Sequence, residues 1–226
     1  MVNLAIVILL SYIVGSIPTS IIASKLSRGL DIRQHGSGNA GGTNVMRVLG
    51  WKIGLAVILF DLAKGAIATM FVARLFWDPS LPFQNRTPFE DFTVVQIICG
   101  VAAILGHIWT LFAGFRGGKG VATGAGMLLA LAPVEFAVAV VIFVAVFSSS
   151  RYVSLGSLAG AIAFPLTMFF RENVFNVNIQ GYHTLIFFAI GTSLLLIYTH
   201  RENIKRLIQG TENKLTNFRG SPSHKS

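Results

Sequence analysis

The chain has little charge, little acid and almost no cysteine. Of its 226 residues only 12% are charged, against roughly 25% in an ordinary soluble domain, and nine acidic residues face 18 lysines and arginines. The single cysteine, Cys99, lies in an apolar run, which excludes a disulfide framework and a multi-cysteine metal site and leaves a buried structural thiol. Carboxylates are too sparse for magnesium chemistry, which needs clustered oxygen ligands. The segments that charge placement assigns to the cytoplasm offer only Asp31, Glu202 and Glu212. No metal and no cofactor is expected, and no nucleic-acid partner. A cationic n-region and a small-residue cleavage pattern are also lacking around the first apolar run, so residues 1–24 read as a retained helix.

What is abundant is apolar. Hydrophobic residues make up 53% of the chain and its mean hydropathy is +0.68, the composition of an integral membrane protein. One polytopic membrane domain over residues 1–226 is expected, with a disordered tail at 219–226. Apolar runs cover Asn3–Ser24, Ile53–Trp77, Phe92–Phe112, Val121–Phe147, Val153–Phe170 and Tyr182–Thr199. A span needs about 20 residues, so a simple count gives six.

Charge placement argues for about seven. Residues 25–52 carry Lys25, Arg28, Arg33, Arg47 and Lys52 against Asp31, and the tail from His200 carries Arg201, Lys205, Arg206, Lys214, Arg219 and Lys225 against Glu202 and Glu212. Both belong inside by the positive-inside rule. The segments 78–91 and 171–181 lack that excess and belong outside. With residues 114–120 inside, an odd number of passes must separate 120 from 171. The run Val121–Phe147 is long, and Pro133 interrupts it where a proline breaks the backbone ladder. Two short helices meeting near Ala132 and Pro133 resolve the count. The expected fold is thus all-α, about seven transmembrane helices, N-terminus outside and C-terminus cytoplasmic, with every polar motif on one membrane face. That one-sidedness favours an enzyme over a transporter.

Three polar stretches interrupt the apolar chain. In GSGNAGGTNVMR (Gly36–Arg47), Gly36, Gly38, Gly41 and Gly42 permit a tight loop, while Ser37, Asn39, Thr43 and Asn44 offer hydroxyl and amide groups to an oxygen-rich ligand. Arg47 lies three residues after Asn44, suited to a bidentate phosphate contact if a helix starts there. Taken alone, the stretch is equally well a glycine-rich interfacial turn with a snorkelling arginine. In GFRGGKGVATG (Gly114–Gly124), Gly117, Gly118 and Gly120 flank Lys119 just before an apolar helix. Backbone N–H groups, a helix N-terminus and a lysine are the parts of a phosphate site. No Ser or Thr follows Lys119, which disfavours ATP. A plain positive-inside loop holding Arg116 and Lys119 is the alternative. In HRENIKR (His200–Arg206), His200 and Asn203 share a helix face, and His200 suits a base or a phosphate donor. Asp61 and Lys64, three apart within an apolar run, read as a functional ion pair or a buried structural one, and His107 as a satisfied core histidine.

Taken in order, SGNAGGTNVMR, GFRGGKGVAT, RYVSL (Arg151–Leu155) and HRENIKRLIQGTE (His200–Glu212), with GSIP at Gly15–Pro18 and DLAKG at Asp61–Gly65, resemble the bacterial acyl-phosphate:glycerol-3-phosphate acyltransferases, the PlsY family. The likeness covers nearly the whole chain. It implies a seven-helix protein of the bacterial inner membrane, its active site on the cytoplasmic side, that acylates the 1-hydroxyl of glycerol 3-phosphate. The donor would be an acyl phosphate rather than a coenzyme A thioester, and the products lysophosphatidic acid and phosphate. The implied partners are both substrates, membrane lipid and the enzyme that supplies the acyl phosphate. Carried over, Ser37, Arg47, Lys119, His200 and Asn203 would be catalytic, and Gly38, Asn39, Gly41, Thr43, Asn44, Gly117, Gly118, Gly120 and Ser154 would bind substrate phosphates. The family usually has alanine at Gly42 and Tyr-Pro at Trp109–Thr110. The first change is expected only to loosen its loop, the second to alter how the chain enters the second motif. A phosphate or organophosphate transporter remains the rival. It should show repeat symmetry, and the chain has no internal repeat.

Overall fold

The computed structural model describes residues 2–75, 91–212 and 214, so the loop 78–91 is described only at Asp91, and the tail 219–226 lies outside the described residues. Every regular element described is helical. Two compact units are present, Met1–Leu131 and Ala132–Ser226.

The first unit contains α1 (Val2–Gly15), α2 (Thr19–Arg28), α3 (Gly42–Leu49), α4 (Trp51–Met70), α5 (Asp91–Ile108) and α6 (Val121–Leu131). α1 packs on α5, and α6 and α3 pack on α4. Lipid is as apolar as leucine, so these pairs rely on close van der Waals approach at small residues rather than on water exclusion. A Cβ built on Gly65 of α4 would fall 2.0 Å from the Thr123 carbonyl oxygen of α6, and one on Gly126 of α6 would fall 1.9 Å from that of Leu62. The polarity of the unit is inverted. Ser20, Ser24, Asp61, Lys64, Thr69, His107 and Thr123 are buried, while Leu55, Leu59, Phe60, Ile67 and Phe71 are exposed.

The second unit contains α7 (Pro133–Ser150), α8 (Val153–Asn173), α9 (Tyr182–Thr199) and α10 (Arg201–Ile208), with α7 and α9 both packed on α8. Buried Glu135 of α7 pairs with Arg171 at the end of α8.

Among the described residues, six helical segments are long and apolar enough to cross a membrane: Leu4–Arg28, Trp51–Arg74, Asp91–Ala113, Pro133–Ser150, Val153–Asn173 and Tyr182–Thr199. The helix break expected at Ala132–Pro133 is present. Ala132 leaves the helical region (φ −148°, ψ 72°) and Pro133 starts α7, the first-turn position where its missing N–H costs nothing. The two halves are unequal. α7 has 18 residues and could span alone, whereas α6 has 11, about 16 Å of helix.

Candidate active site

Each glycine motif of the first unit feeds a helix N-terminus. Gly36 and Gly38 adopt φ of 61° and 72°, turning the chain so that Gly41 can cap α3. Asn44, in the first turn of α3, is 1% exposed, and its side chain points back into the loop. Its Oδ1 accepts the Ser37 N–H at 2.9 Å, and its Nδ2 donates to the carbonyls of His35 (2.9 Å), Asn39 (3.0 Å) and Ile32 (3.2 Å). Ser37, Thr43 and Arg47 are exposed, with Thr43 and Arg47 one helical turn apart. Beneath the loop, Asp31 caps a short 3₁₀ turn (Ile32–Gln34) and pairs with Arg33 at 2.7 Å. Hydrogen bonds from the Arg33 side chain hold the Asp31 carboxyl down to about 2, while Asp31 in turn raises the guanidinium of Arg33.

The second motif lies against the first. Arg33 donates to the Ala113 carbonyl at 2.9 Å, and a Cβ on Gly118 would sit 2.7 Å from the Ala40 carbonyl oxygen. The Gly117 and Gly118 N–H groups do not face outward: they donate to the carbonyls of Ile108 (3.0 Å) and His107 (3.1 Å) at the end of α5. Gly120, at φ 77°, then releases the chain into α6. The donors left for an anion in this motif are therefore exposed Arg116 and Lys119 and the first N–H groups of α6, which have no intrahelical acceptor. Neither Lys119 nor Arg47 has a hydrogen-bond or ion-pair partner among the described residues. This unit thus carries exposed, unpartnered cations and two helix N-termini fed by glycine motifs that touch each other, an arrangement suited to phosphate.

In the second unit the third motif forms its own cluster. Gly210 (φ 70°) ends α10 in a Schellman turn, with Thr211 N–H donating to Arg206 and Gly210 N–H to Leu207. That reversal brings Glu212 back onto the helix. Its Oε1 accepts from Asn203 Nδ2 (2.8 Å) and Ser154 Oγ (2.9 Å), and its Oε2 from Arg206 Nε (2.7 Å). Asn203 first, then Arg206 and Ser154, hold this carboxyl below the usual carboxylate range. His200 caps α9 with Nδ1 2.9 Å from the Leu196 carbonyl. A carbonyl only accepts, so Nδ1 carries a proton and Nε2 of the neutral ring keeps its lone pair.

These motifs are those of a known group. The family model described as glycerol-3-phosphate acyltransferase matches residues 5–210. The chain belongs to this family.

Its relatives include proteins named glycerol-3-phosphate acyltransferase from Chlorobaculum tepidum, 48% identical over 93% of this chain and 95% of the relative, and from Chlorobaculum parvum, 46% identical over the same shares. It is also similar to the crystal structure of PlsY (YgiH), an integral membrane glycerol 3-phosphate acyltransferase, in its glycerol 3-phosphate form. That likeness has 34% identity and a TM-score of 0.67 over 94% of this chain and 95% of the other. The lysophosphatidic acid form of PlsY matches with a TM-score of 0.66. The chain is therefore an integral membrane protein of an acyltransferase family, and the transporter reading is not favoured.

For this family member the structure places Ser37, Gly38, Asn39, Gly41, Thr43, Asn44, Arg47, Gly117, Gly118, Lys119 and Gly120 in the first unit, and Ser154, His200 and Asn203 in the second. Besides the Gly117 and Gly118 amides, three expected site side chains are engaged by protein: Asn44 of the binding set by its own loop, Ser154 of the same set by Glu212, and Asn203 of the catalytic set also by Glu212. Glu212 is the residue that sequence reasoning passed over. Its signal was the glycine at 210, two residues before it, which folds the chain back. Gly42 does more than loosen its loop. It is buried against α4, and a Cβ there would meet Ile58 Cγ1 at 2.4 Å. Thr110 enters the second motif by donating to the Ser16 carbonyl, and Trp109 accepts from the Tyr12 hydroxyl.

Proposed function

We propose that this acyltransferase takes its acyl group from an acyl phosphate, transfers it to the 1-hydroxyl of glycerol 3-phosphate, and releases phosphate and lysophosphatidic acid. The observation that carries the reading is the presence in one unit of unpartnered Arg47 and Lys119 and of two helix N-termini fed by glycine motifs, in a family whose name already supplies the acceptor. Both substrates are then anionic, and both meet donors rather than carboxylates. An acyl phosphate is a mixed anhydride with a good leaving group, so bringing it to the acceptor and stabilising developing charge is enough, and no covalent enzyme intermediate is needed.

The glycerol hydroxyl oxygen attacks the acyl carbonyl carbon and forms the ester bond. The anhydride C–O bond breaks, and phosphate leaves with its electron pair. The hydroxyl proton passes to a phosphate oxygen or to Nε2 of His200, whose Nδ1–H is fixed on Leu196. Ser37, Thr43, Arg47, Lys119 and the amides at the start of α3 and α6 are assigned to the phosphates, with Gly38, Asn39, Gly41, Gly117, Gly118 and Gly120 shaping the loops. Asn44 holds the first loop, and Glu212 holds Ser154 and Asn203. Seven passes, an outside N-terminus and a cytoplasmic site in a bacterial inner membrane are supported by the cationic excess of residues 25–52 and 200–226. The enzyme that supplies the acyl phosphate is the natural soluble or membrane partner.

The test is acyl transfer by the purified protein in detergent or lipid, with labelled glycerol 3-phosphate and either palmitoyl phosphate or palmitoyl coenzyme A, with and without EDTA. Labelled lysophosphatidic acid from the acyl phosphate alone, undiminished by EDTA, is expected. Product from the thioester instead would overturn the donor assignment.

A further inference from the structure

Within the first unit lies a charged cluster that the reaction above does not use. Asp61 and Lys64 of α4 are 1% and 5% exposed, and His107 of α5 is 7% exposed. Asp61 Oδ1 receives Thr19 Oγ1 at 2.6 Å and Lys64 Nζ at 2.8 Å, with His107 Nδ1 at 3.5 Å. Lys64 also donates to the Ile17 carbonyl at 3.1 Å. A buried ion pair is a poor way to gain stability, because desolvation offsets most of the attraction and apolar packing does as well. Its position offers another reason. Lys64 and His107 line a small pocket whose remaining wall includes Ala40 of the first motif and Gly117 and Gly118 of the second. His107 holds Gly118 twice: its carbonyl accepts the Gly118 N–H, and its ring packs so tightly on Gly118 that a Cβ there would lie 2.2 Å from Nε2.

We infer that the Asp61–Lys64 pair is a positioning device: through His107 it fixes the Gly117–Gly118 turn and thereby aims Lys119 and the start of α6 at a substrate phosphate. This rests on the acyltransferase reading above. Asp61 and Lys64 touch no reacting atom, and they act only through the loop.

Asp61→Asn/Lys64→Met removes both charges without stranding one. The double variant is expected to keep the wild-type melting temperature in detergent, yet to raise the KM of the same substrate that Lys119→Ala affects, by roughly 10- to 100-fold, the usual cost of a small misplacement. Added to Lys119→Ala it should cost less than the product of the separate effects, since both disturb one element. His107→Leu, which leaves the ion pair intact, should shift that same KM, and His107→Asn, whose amide nitrogen reaches the place of Nδ1, should restore it. Multiplicative effects, equal changes in both KM values, or His107→Leu with wild-type kinetics would overturn the inference. Failure of the wild-type protein to acylate glycerol 3-phosphate at all would instead overturn the function on which it rests.

Discussion

Replacing Asn44 tests whether the first motif is a loop built around one amide. Its Oδ1 is the acceptor of the Ser37 N–H, and the Asn39 carbonyl relies on its Nδ2. The Ile32 and His35 carbonyls also accept backbone N–H groups from His35 and Gly38, so they lose only their second partner. Asn44→Ala therefore strands one donor and one acceptor and weakens two more sites. At about 1 kcal/mol for each net bond and somewhat more for a stranded group, the loop should lose roughly 3 kcal/mol, about a 100-fold rise in its opening constant. Asn44→Asp is the sharper probe. It is nearly isosteric and keeps an acceptor for Ser37, but sets an anionic oxygen where the donor faced three carbonyls. Both variants should retain their helices by circular dichroism, speed amide exchange at Ser37 and Gly38, and lose acyl transfer. If Asn44→Asp exchanged Ser37 at the wild-type rate and turned over normally, the loop would not depend on this amide and the reasoning would fail.

Three further outcomes are expected. Glu212→Ala should release Ser154, Asn203 and Arg206 together and lower kcat by more than the additive effect of Ser154→Ala and Asn203→Ala, as a turnover series will read. His200→Ala should slow turnover if Nε2 takes the hydroxyl proton, and unchanged kcat would assign that proton to substrate phosphate alone. The Asp31 carboxyl, held at about 2 against 3.8 when free, contributes stability that is fully present above pH ~4 and is lost as pH falls towards 2. Exchange protection of the 31–35 turn should thus persist from neutrality to mildly acid solution and vanish below it, and Asp31→Asn should remove that pH dependence.

Much of this architecture was legible. Pro133 inside an over-long apolar run gave the break between α6 and α7, because a missing N–H cannot be hidden in a ladder. The glycine motifs lay where helices begin, and Asp61–Lys64 was visible by its spacing. What could not be read was direction. Glycine at 117 and 118 suggested outward amides, but these two N–H groups turn to the carbonyls that α5 leaves unsatisfied at its end. Asn44 likewise points inward, a choice made by the curvature of its own loop. The bond from Glu212 to Ser154 spans 58 residues and depends on the Schellman reversal at Gly210. Periodicity carries no information on such a partner. The relative lengths of α6 and α7 escaped for a simpler reason, since both flanks of Ala132 are uniformly apolar.

The crossing of α4 and α6 at Gly65 and Gly126 turns the usual scale of substitution tolerance upside down. In a soluble core, exchanging one apolar residue for another of similar volume ranks among the gentlest changes and introducing an unpaired polar atom among the harshest. Here the seam already holds Thr123 with no partner for its hydroxyl among the described residues. What it has no room for is carbon. Ranking variants of this enzyme by hydropathy would therefore misjudge α4 and α6, where volume decides.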